Sequence, residues 1–268
     1  MIWETKQYGA LINKILHKGQ KRSSRAGDTY SIFGETLEID LQVQEGFPLL
    51  LGRKMFYKGV IGELAAMLQG PKNVKDFEKY GCNYWKDWAN EDGSIDVDYG
   101  NAWIDWNGVN QLQQLVDTLL SDPGDRRMLI SGWRPDRLGD LSLPCCHLLY
   151  QWYVRDGKYL DMIWFQRSVD TMVGLPSDIV LGALWNMLLA QQCGFEPGKL
   201  TMMLGDTHIY SNHVEPTLDY IKQLNSIEKF EPTRYFLDPK ATVFNFRPEM
   251  FAVHDYEPQK PIKFELNV

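Results

Sequence analysis

Four cysteines stand in 268 residues, at positions 82, 145, 146 and 193, and none forms a Cys-x-x-Cys pair. That spacing argues against a disulfide framework, and reduced thiols in a cytosol-like compartment are expected. No metal-ligand spacing is read. Long apolar runs are lacking too. The longest, Ile179 to Ala190, is broken by Gly182 and Asn186, and falls short of the ~20 residues a bilayer span needs. Met1-Ile2-Trp3-Glu4-Thr5-Lys6 lacks the apolar stretch of a signal peptide. A soluble, cytoplasmic protein with no membrane partner is expected. Basic runs are also short, none longer than Lys18–Arg25, and 28 Lys and Arg face 35 Asp and Glu for a net charge of −7. A nucleic-acid polymer would call for a concentrated basic face and is disfavoured; a small anionic ligand needs only a local arginine cluster. No Pro/Gly/Ser-rich linker and no repeat is found, so residues 1–268 are read as one domain with a sizeable core.

Against these absences, periodic segments are plentiful. Residues 5–18 read as a helix. After Ser31-Ile32-Phe33-Gly34-Glu35, the residues Leu37, Ile39, Leu41 and Val43 alternate with Glu38, Asp40 and Gln42, the period of a half-buried strand. Tyr57–Gln69 has helical spacing and stops at Gly70-Pro71; Gln111–Leu120 is a second helix, ended by Ser121–Gly124. Residues 148–154 and 159–166 are aromatic and β-branched runs joined by Arg155-Asp156-Gly157-Lys158, a hairpin signal. Ile179–Gln192 is apolar on most sides, hence a buried helix with Gly194 as its stop. Lys199–Leu204 reads as another strand. Hairpin-linked strands mixed with helices predict an α+β fold on a mixed sheet.

Chemistry concentrates between Leu143 and His213. Leu143-Pro144-Cys145-Cys146-His147 is followed by Gln166-Arg167-Ser168-Val169-Asp170, by Gly174-Leu175-Pro176-Ser177-Asp178, and by Gly205-Asp206-Thr207-His208-Ile209-Tyr210-Ser211-Asn212-His213. Taken singly these residues have ordinary explanations. Most free cysteines are small buried hydrophobes, Arg126-Arg127 alone reads as a solvated pair, and a lone His or Tyr is more often structural. The whole run, from about residue 22 to the end, nevertheless resembles the thymidylate synthase family.

That resemblance implies a fold and a set of roles. The fold is the family's mixed sheet packed with helices, with a sheet face at a homodimer interface. Cys146 would add as thiolate to C6 of a pyrimidine, turning C5 into a nucleophile, and nearby arginines would lower its pKa. Cys145 stands where relatives usually carry proline or alanine, a packing substitution. Arg25, Arg126, Arg127 and Arg167 match four phosphate-binding arginines, with Ser168 a hydroxyl donor beside them. Guanidinium forks suit phosphate oxygens. The equivalents of Arg126 and Arg127 cross from the partner subunit. Glu63 would organise water and proton transfers at the base, Tyr99 is associated with removal of the C5 proton, and His147 assists. Gln166 falls on the nucleotide side, and His208 and Tyr210 match residues that bond the sugar 3′-hydroxyl. Trp85, Trp88, Leu143, Asp170, Gly174 and a tail ending in Val268 match positions that contact the cosubstrate 5,10-methylenetetrahydrofolate. Two departures stand out: Ser177 replaces an aromatic folate contact, and Phe56 replaces a histidine near the basic pair Arg53-Lys54.

Asp178 is the third departure, since the family places there an asparagine that reads uracil. An amide accepts from uracil N3–H and donates to O4. A carboxylate only accepts, which suits the cytosine N4 amino group, with a proton shared between N3 and Asp178. Facing uracil it leaves O4 unpaired, at a cost of ~1–3 kcal/mol. The plainer alternative is that Asp178 or Ser177 merely caps a helix starting at Ile179. The residues point to dCMP, preferred over CMP by the match to deoxynucleotide enzymes, and to 5-hydroxymethyl-dCMP, because the small Ser177 loosens folate packing and admits water. dCMP 5-methylation by hydride quench is the second alternative and thymidylate synthesis from dUMP the third. A non-catalytic nucleotide-binding homologue belongs to a different class. Hydroxymethylating relatives belong mostly to bacteriophages with modified DNA, so the resemblance implies phage DNA modification in a host cytoplasm.

Overall fold

The computed structural model describes residues 3–42 and 46–267; Val43, expected on the first strand, and Val268, expected at the cosubstrate, lie outside them. The first predicted helix is a π-helical turn, Glu4–Tyr8, leading into α1 (Gly9–Lys18). Glu4 is fully buried and accepts hydrogen bonds from the Tyr220 hydroxyl at 2.6 Å and from the backbone of Leu51 at 2.7 Å and Gly52 at 2.8 Å. The two backbone donors tie the amino-terminal turn to the loop that carries Arg53.

The alternation at Leu37 and Ile39 belongs to β2 (Gly27–Asp40), which starts earlier than expected and pairs with β1 (Gln20–Ser24) in a hairpin. β1 carries no period because all five of its residues are exposed. The helix at Tyr57 is α2 (Tyr57–Met67), buried from Gly59 to its end. Short helices α3 (Val74–Glu78) and α4 (Asn101–Ile104) follow, then α5 (Gln111–Ser121), capped by the Asn110 side chain on Gln113 N–H.

Next come β3 (Leu129–Ser131), β4 (His147–Arg155) and β5 (Tyr159–Asp170), with β4 and β5 antiparallel. Asp156 and Gly157 between them take φ of 55° and 64°, the left-handed pair that a two-residue hairpin loop requires. From β5 the chain crosses through α6 (Gly174–Cys193) to β6 (Glu196–Tyr210), which runs parallel to β5; a parallel neighbour needs a connection of this kind. α6 is buried almost all round. Gly182 lets it settle on the sheet, since a Cβ there would lie 2.9 Å from the Trp164 ring. Gly194 ends it in the left-handed region, φ 80°.

The helix begins at Gly174, five residues before the predicted start. Ser177 and Asp178 therefore lie inside it, and neither is its cap. Pro176 hid the first turn, but a proline there sacrifices only a backbone N–H that has no intrahelical partner. α7 (Val214–Asn225) and a small sheet of β7 (Arg234–Leu237) and β8 (Phe251–His254) complete the chain.

The main sheet has the order β1-β2-β6-β5-β4-β3, antiparallel except for β5–β6, so the α+β expectation holds. Its inner face carries Tyr150, Trp152, Trp164 and Met202 into the core, where Trp185 of α6 meets Trp152 edge-on at 5.1 Å. Its outer face leaves Tyr153, Ile163 and Met203 exposed. Among the described residues no helix is long and apolar enough to cross a membrane.

Candidate functional site

Cys146 ends the loop that enters β4, and three contacts hold that loop. Its backbone N–H donates to the Tyr99 hydroxyl at 2.6 Å, and Arg167 donates from Nε to Cys145 O at 2.8 Å and from Nη2 to Pro144 O at 2.9 Å. The Arg167 guanidinium also lies 5.6 Å from the Trp133 ring. Arg167 thus both charges the thiol's surroundings and props the loop. Burial nonetheless dominates and pushes the Cys146 thiol up, while Arg167 and the Tyr99 contact pull it down. Arg167 lowers it as expected, but a desolvated thiolate costs more than one guanidinium returns, so the net direction is upward. Burial likewise raises the Tyr99 phenol well above its ordinary value, which keeps it protonated.

His147, Gln166 and Asp178 converge beside the thiol. His147 Nε2 lies 3.0 Å from Asp178 Oδ1, and Gln166 Nε2 donates to Asp178 Oδ2 at 2.7 Å. The Tyr99 and His147 rings meet edge-on at 4.9 Å. Both strands of the hairpin and the first turns of α6 are needed to build this cluster.

Glu63, on buried α2, completes it from the other side. Its Oε1 accepts from Trp85 Nε1 at 2.8 Å and its Oε2 from the Tyr84 hydroxyl at 2.6 Å. Burial, augmented by the nearby Asp178 charge, pushes its carboxyl up to about 7 against both hydrogen bonds. Carboxyls tuned into this range suit proton transfer at neutral pH. Trp85 packs on Tyr99 at 5.5 Å and on Trp88 at 5.5 Å.

A second arm of the site runs along β5 and β6. The register pairs Ser168 with Asp206 and Asp170 with His208. The His208 and Tyr210 rings meet at 5.1 Å, and Asp206 holds His208 Nδ1 at 3.2 Å, the Ser31 hydroxyl at 2.6 Å and Arg22 at 2.9 Å. Arg25, exposed on the β1–β2 turn, is close enough to Tyr210 to affect its ionisation. Asp170 Oδ1 accepts from the backbone N–H of Met172 at 2.9 Å and Val173 at 3.1 Å, and a Cβ on Gly174 would touch both Asp170 and Asp178.

Arg126 and Arg127 are not brought to this cluster within the chain. They sit exposed on the turn before β3, with Arg127 paired to Asp125 at 2.8 Å. Leu143 is half-buried against the core.

A cleft of about 430 Å³ opens beside the cluster between Trp88, Tyr84, Phe56 and the tail residue Phe264. Ser177 and Pro176 line it from α6, and Arg53, Lys54 and Lys263 give it positive charge. Aromatic walls with a cationic rim fit a planar conjugated ligand bearing carboxylates. Tyr84, Trp133 and Phe264 were not singled out from the sequence; an aromatic residue in an irregular segment carries no periodic signal, and only adjacency to Trp85 could have flagged Tyr84.

Comparison with known protein families matches residues 6–268 to the family described as Thymidylate synthase. That span takes in every element described above from α1 to the tail. Its chemistry is folate-dependent one-carbon transfer to a pyrimidine nucleotide, with methylenetetrahydrofolate as cosubstrate, and the cleft fits that molecule. By this near-complete match, the chain belongs to the thymidylate synthase family.

Proposed function

We propose that this protein transfers a one-carbon unit to C5 of dCMP and quenches the product with water, giving 5-hydroxymethyl-dCMP. The observation that carries the base assignment is the environment of Asp178. Donors stand on both its oxygens, His147 Nε2 at 3.0 Å and Gln166 Nε2 at 2.7 Å. A carboxylate so held is an acceptor, and each oxygen keeps a lone pair for the N4 amino group of cytosine. Uracil O4 in the same place meets an acceptor with no hydrogen between them.

Cys146 Sγ attacks C6 and Asp178 shares the proton that N3 then needs. The bound cosubstrate supplies the one-carbon unit at the oxidation level of formaldehyde. Tyr99 and Glu63 manage the C5 proton, with His147 holding Asp178 in place. Arg25, Arg167 and Ser168 anchor the phosphate while His208 and Tyr210 take the 3′-hydroxyl. Asp170, Gly174, Trp85, Trp88 and Leu143 flank the cosubstrate. Water quench is favoured over hydride by Ser177, a small hydroxyl lining the cleft, which packs less tightly on a bound folate than an aromatic side chain does and so excludes water less well.

The phosphate site is completed by Arg126 and Arg127 of a second copy. The exposed apolar outer face, with Tyr153, Ile163 and Met203, supports a homodimer packed sheet to sheet, since patches of this kind mark association surfaces.

Mass spectrometry of product from equal dCMP and dUMP with methylenetetrahydrofolate tests the assignment. A gain of CH₂O on dCMP alone is expected. CH₂ on dCMP makes the enzyme a methylase, and CH₂ on dUMP overturns the role given to Asp178.

A further inference from the structure

Tyr84 faces two ways. Its hydroxyl sits on Glu63 Oε2 at 2.6 Å, and the residue also lines the cleft with Trp88, Val173 and Ser177. Burial raises its phenol well above the ordinary value, and the Glu63 charge raises it further, so it remains a donor. Tyr84 and Trp85 are neighbours in the chain and hold different oxygens of one carboxylate. Between them they fix its orientation and leave one lone pair on each oxygen. The other titratable groups facing Glu63 are Cys82, whose thiol rests on the Tyr84 hydroxyl, and Asp178 on α6.

We propose that Tyr84 is a positioning residue that holds Glu63 as the base for the quenching water, and so biases the product towards hydroxymethyl. This rests on the function proposed above. After carbon transfer and release of tetrahydrofolate, C5 bears an exocyclic methylene and C6 is bonded to Cys146 Sγ. The water oxygen bonds to the methylene carbon, and the C5=CH₂ electron pair moves into the ring towards C4. The water proton passes to Glu63. Return of that pair to form C5=C6 expels the Cys146 thiolate. No oxidant or reductant enters, whereas the competing hydride route oxidises the folate to dihydrofolate.

Without the Tyr84 hydroxyl, Glu63 loses one of the two hydrogen bonds that favour its charged form. A larger fraction is then protonated at neutral pH and cannot take the water's proton. The carboxylate is also free to turn about its last torsion, and water loses a fixed acceptor beside the methylene.

The test measures 5-hydroxymethyl-dCMP, 5-methyl-dCMP and dihydrofolate across pH for the wild type, for Tyr84→Phe, and for protein carrying 3-fluorotyrosine at 84. Tyr84→Phe is expected to lose roughly tenfold or more in hydroxymethyl formation, as when a buried charge-assisted bond is removed. Its KM for dCMP stays put, and the rising limb of its pH profile moves up. The more acidic fluorophenol donates more strongly and moves that limb down, and it retains the hydroxyl if the phenylalanine variant fails to fold. Unchanged limbs and product ratios in the substituted proteins overturn the role of Tyr84 and leave the hydroxymethylase function standing. A wild type that makes 5-methyl-dCMP with dihydrofolate overturns both.

Discussion

The imidazole of His147 and the carboxylate of Asp178 meet at 3.0 Å beside Cys146, although they stand 31 positions apart in the chain. His147 begins β4 and Asp178 sits in the second turn of α6. With its hydrogen on Nε2, the ring donates to Asp178 and leaves Nδ1 a buried lone pair with no partner among the described residues. Gln166 completes the hold from β5. Asp178 is thus oriented by two side chains from neighbouring strands.

Replacing Asp178 by asparagine tests that arrangement. The amide places an NH₂ against one of the two donors, so Gln166 must flip its own amide to restore the bond, and the new NH₂ can also serve uracil O4. The ratio of kcat/KM for dCMP over dUMP is expected to fall by roughly one to two orders of magnitude, the effect of an unpaired buried polar group. Competition between the two nucleotides measures it directly. An unchanged ratio means that another group discriminates the bases.

Glu63 makes the folded protein's stability depend on pH. Its carboxyl is pushed up to about 7 from 4.5, so its protonated form contributes stability that is complete below about 4.5 and lost as pH rises through about 7. Across that window the loss is roughly 3 kcal/mol. Glu63→Gln, permanently neutral, should match the wild type at low pH and exceed it at pH 8 while losing activity. Denaturant midpoints of both proteins at pH 5 and pH 8 give the comparison. Parallel shifts in the two proteins would show that Glu63 is not the group that titrates.

The proposed sharing of active sites between two subunits makes a distinct prediction for mixtures. Arg126→Glu and Cys146→Ser homodimers should each be inactive. Unfolded together in equal amounts and refolded, they form heterodimers in half of the population, each with one intact site. Recovery of about one quarter of wild-type activity is expected from that symmetry. No recovery, with heterodimers shown to form, would place Arg126 outside its partner's site.

Much of this molecule is legible along the chain. The alternation through Leu37 and Ile39, the turn at Asp156-Gly157 and the stop at Gly194 all mark elements found in place, because each records a local constraint of pleat, turn or cap. The failures were also local in cause. Pro176 concealed the first turn of α6, and wholly exposed β1 had no period to read. The departure at Asp178 could be seen in the run Gly174–Asp178 once the resemblance supplied the family's asparagine, because an ionised carboxylate carries no hydrogen to donate.

Other features came only with the fold. Residue type shows that Cys146 is a thiol, but its ionisation follows from a balance between burial and Arg167 that no spacing reveals. Tyr84 acquires a role because the segment before Trp85 packs over α2 and brings its hydroxyl to Glu63. Sequence by itself determined which functional groups are available, and that Asp178 while ionised accepts hydrogen bonds without donating them. Tertiary structure alone decided which groups are desolvated together, because dielectric surroundings and donor geometry arise only when distant segments share one interior.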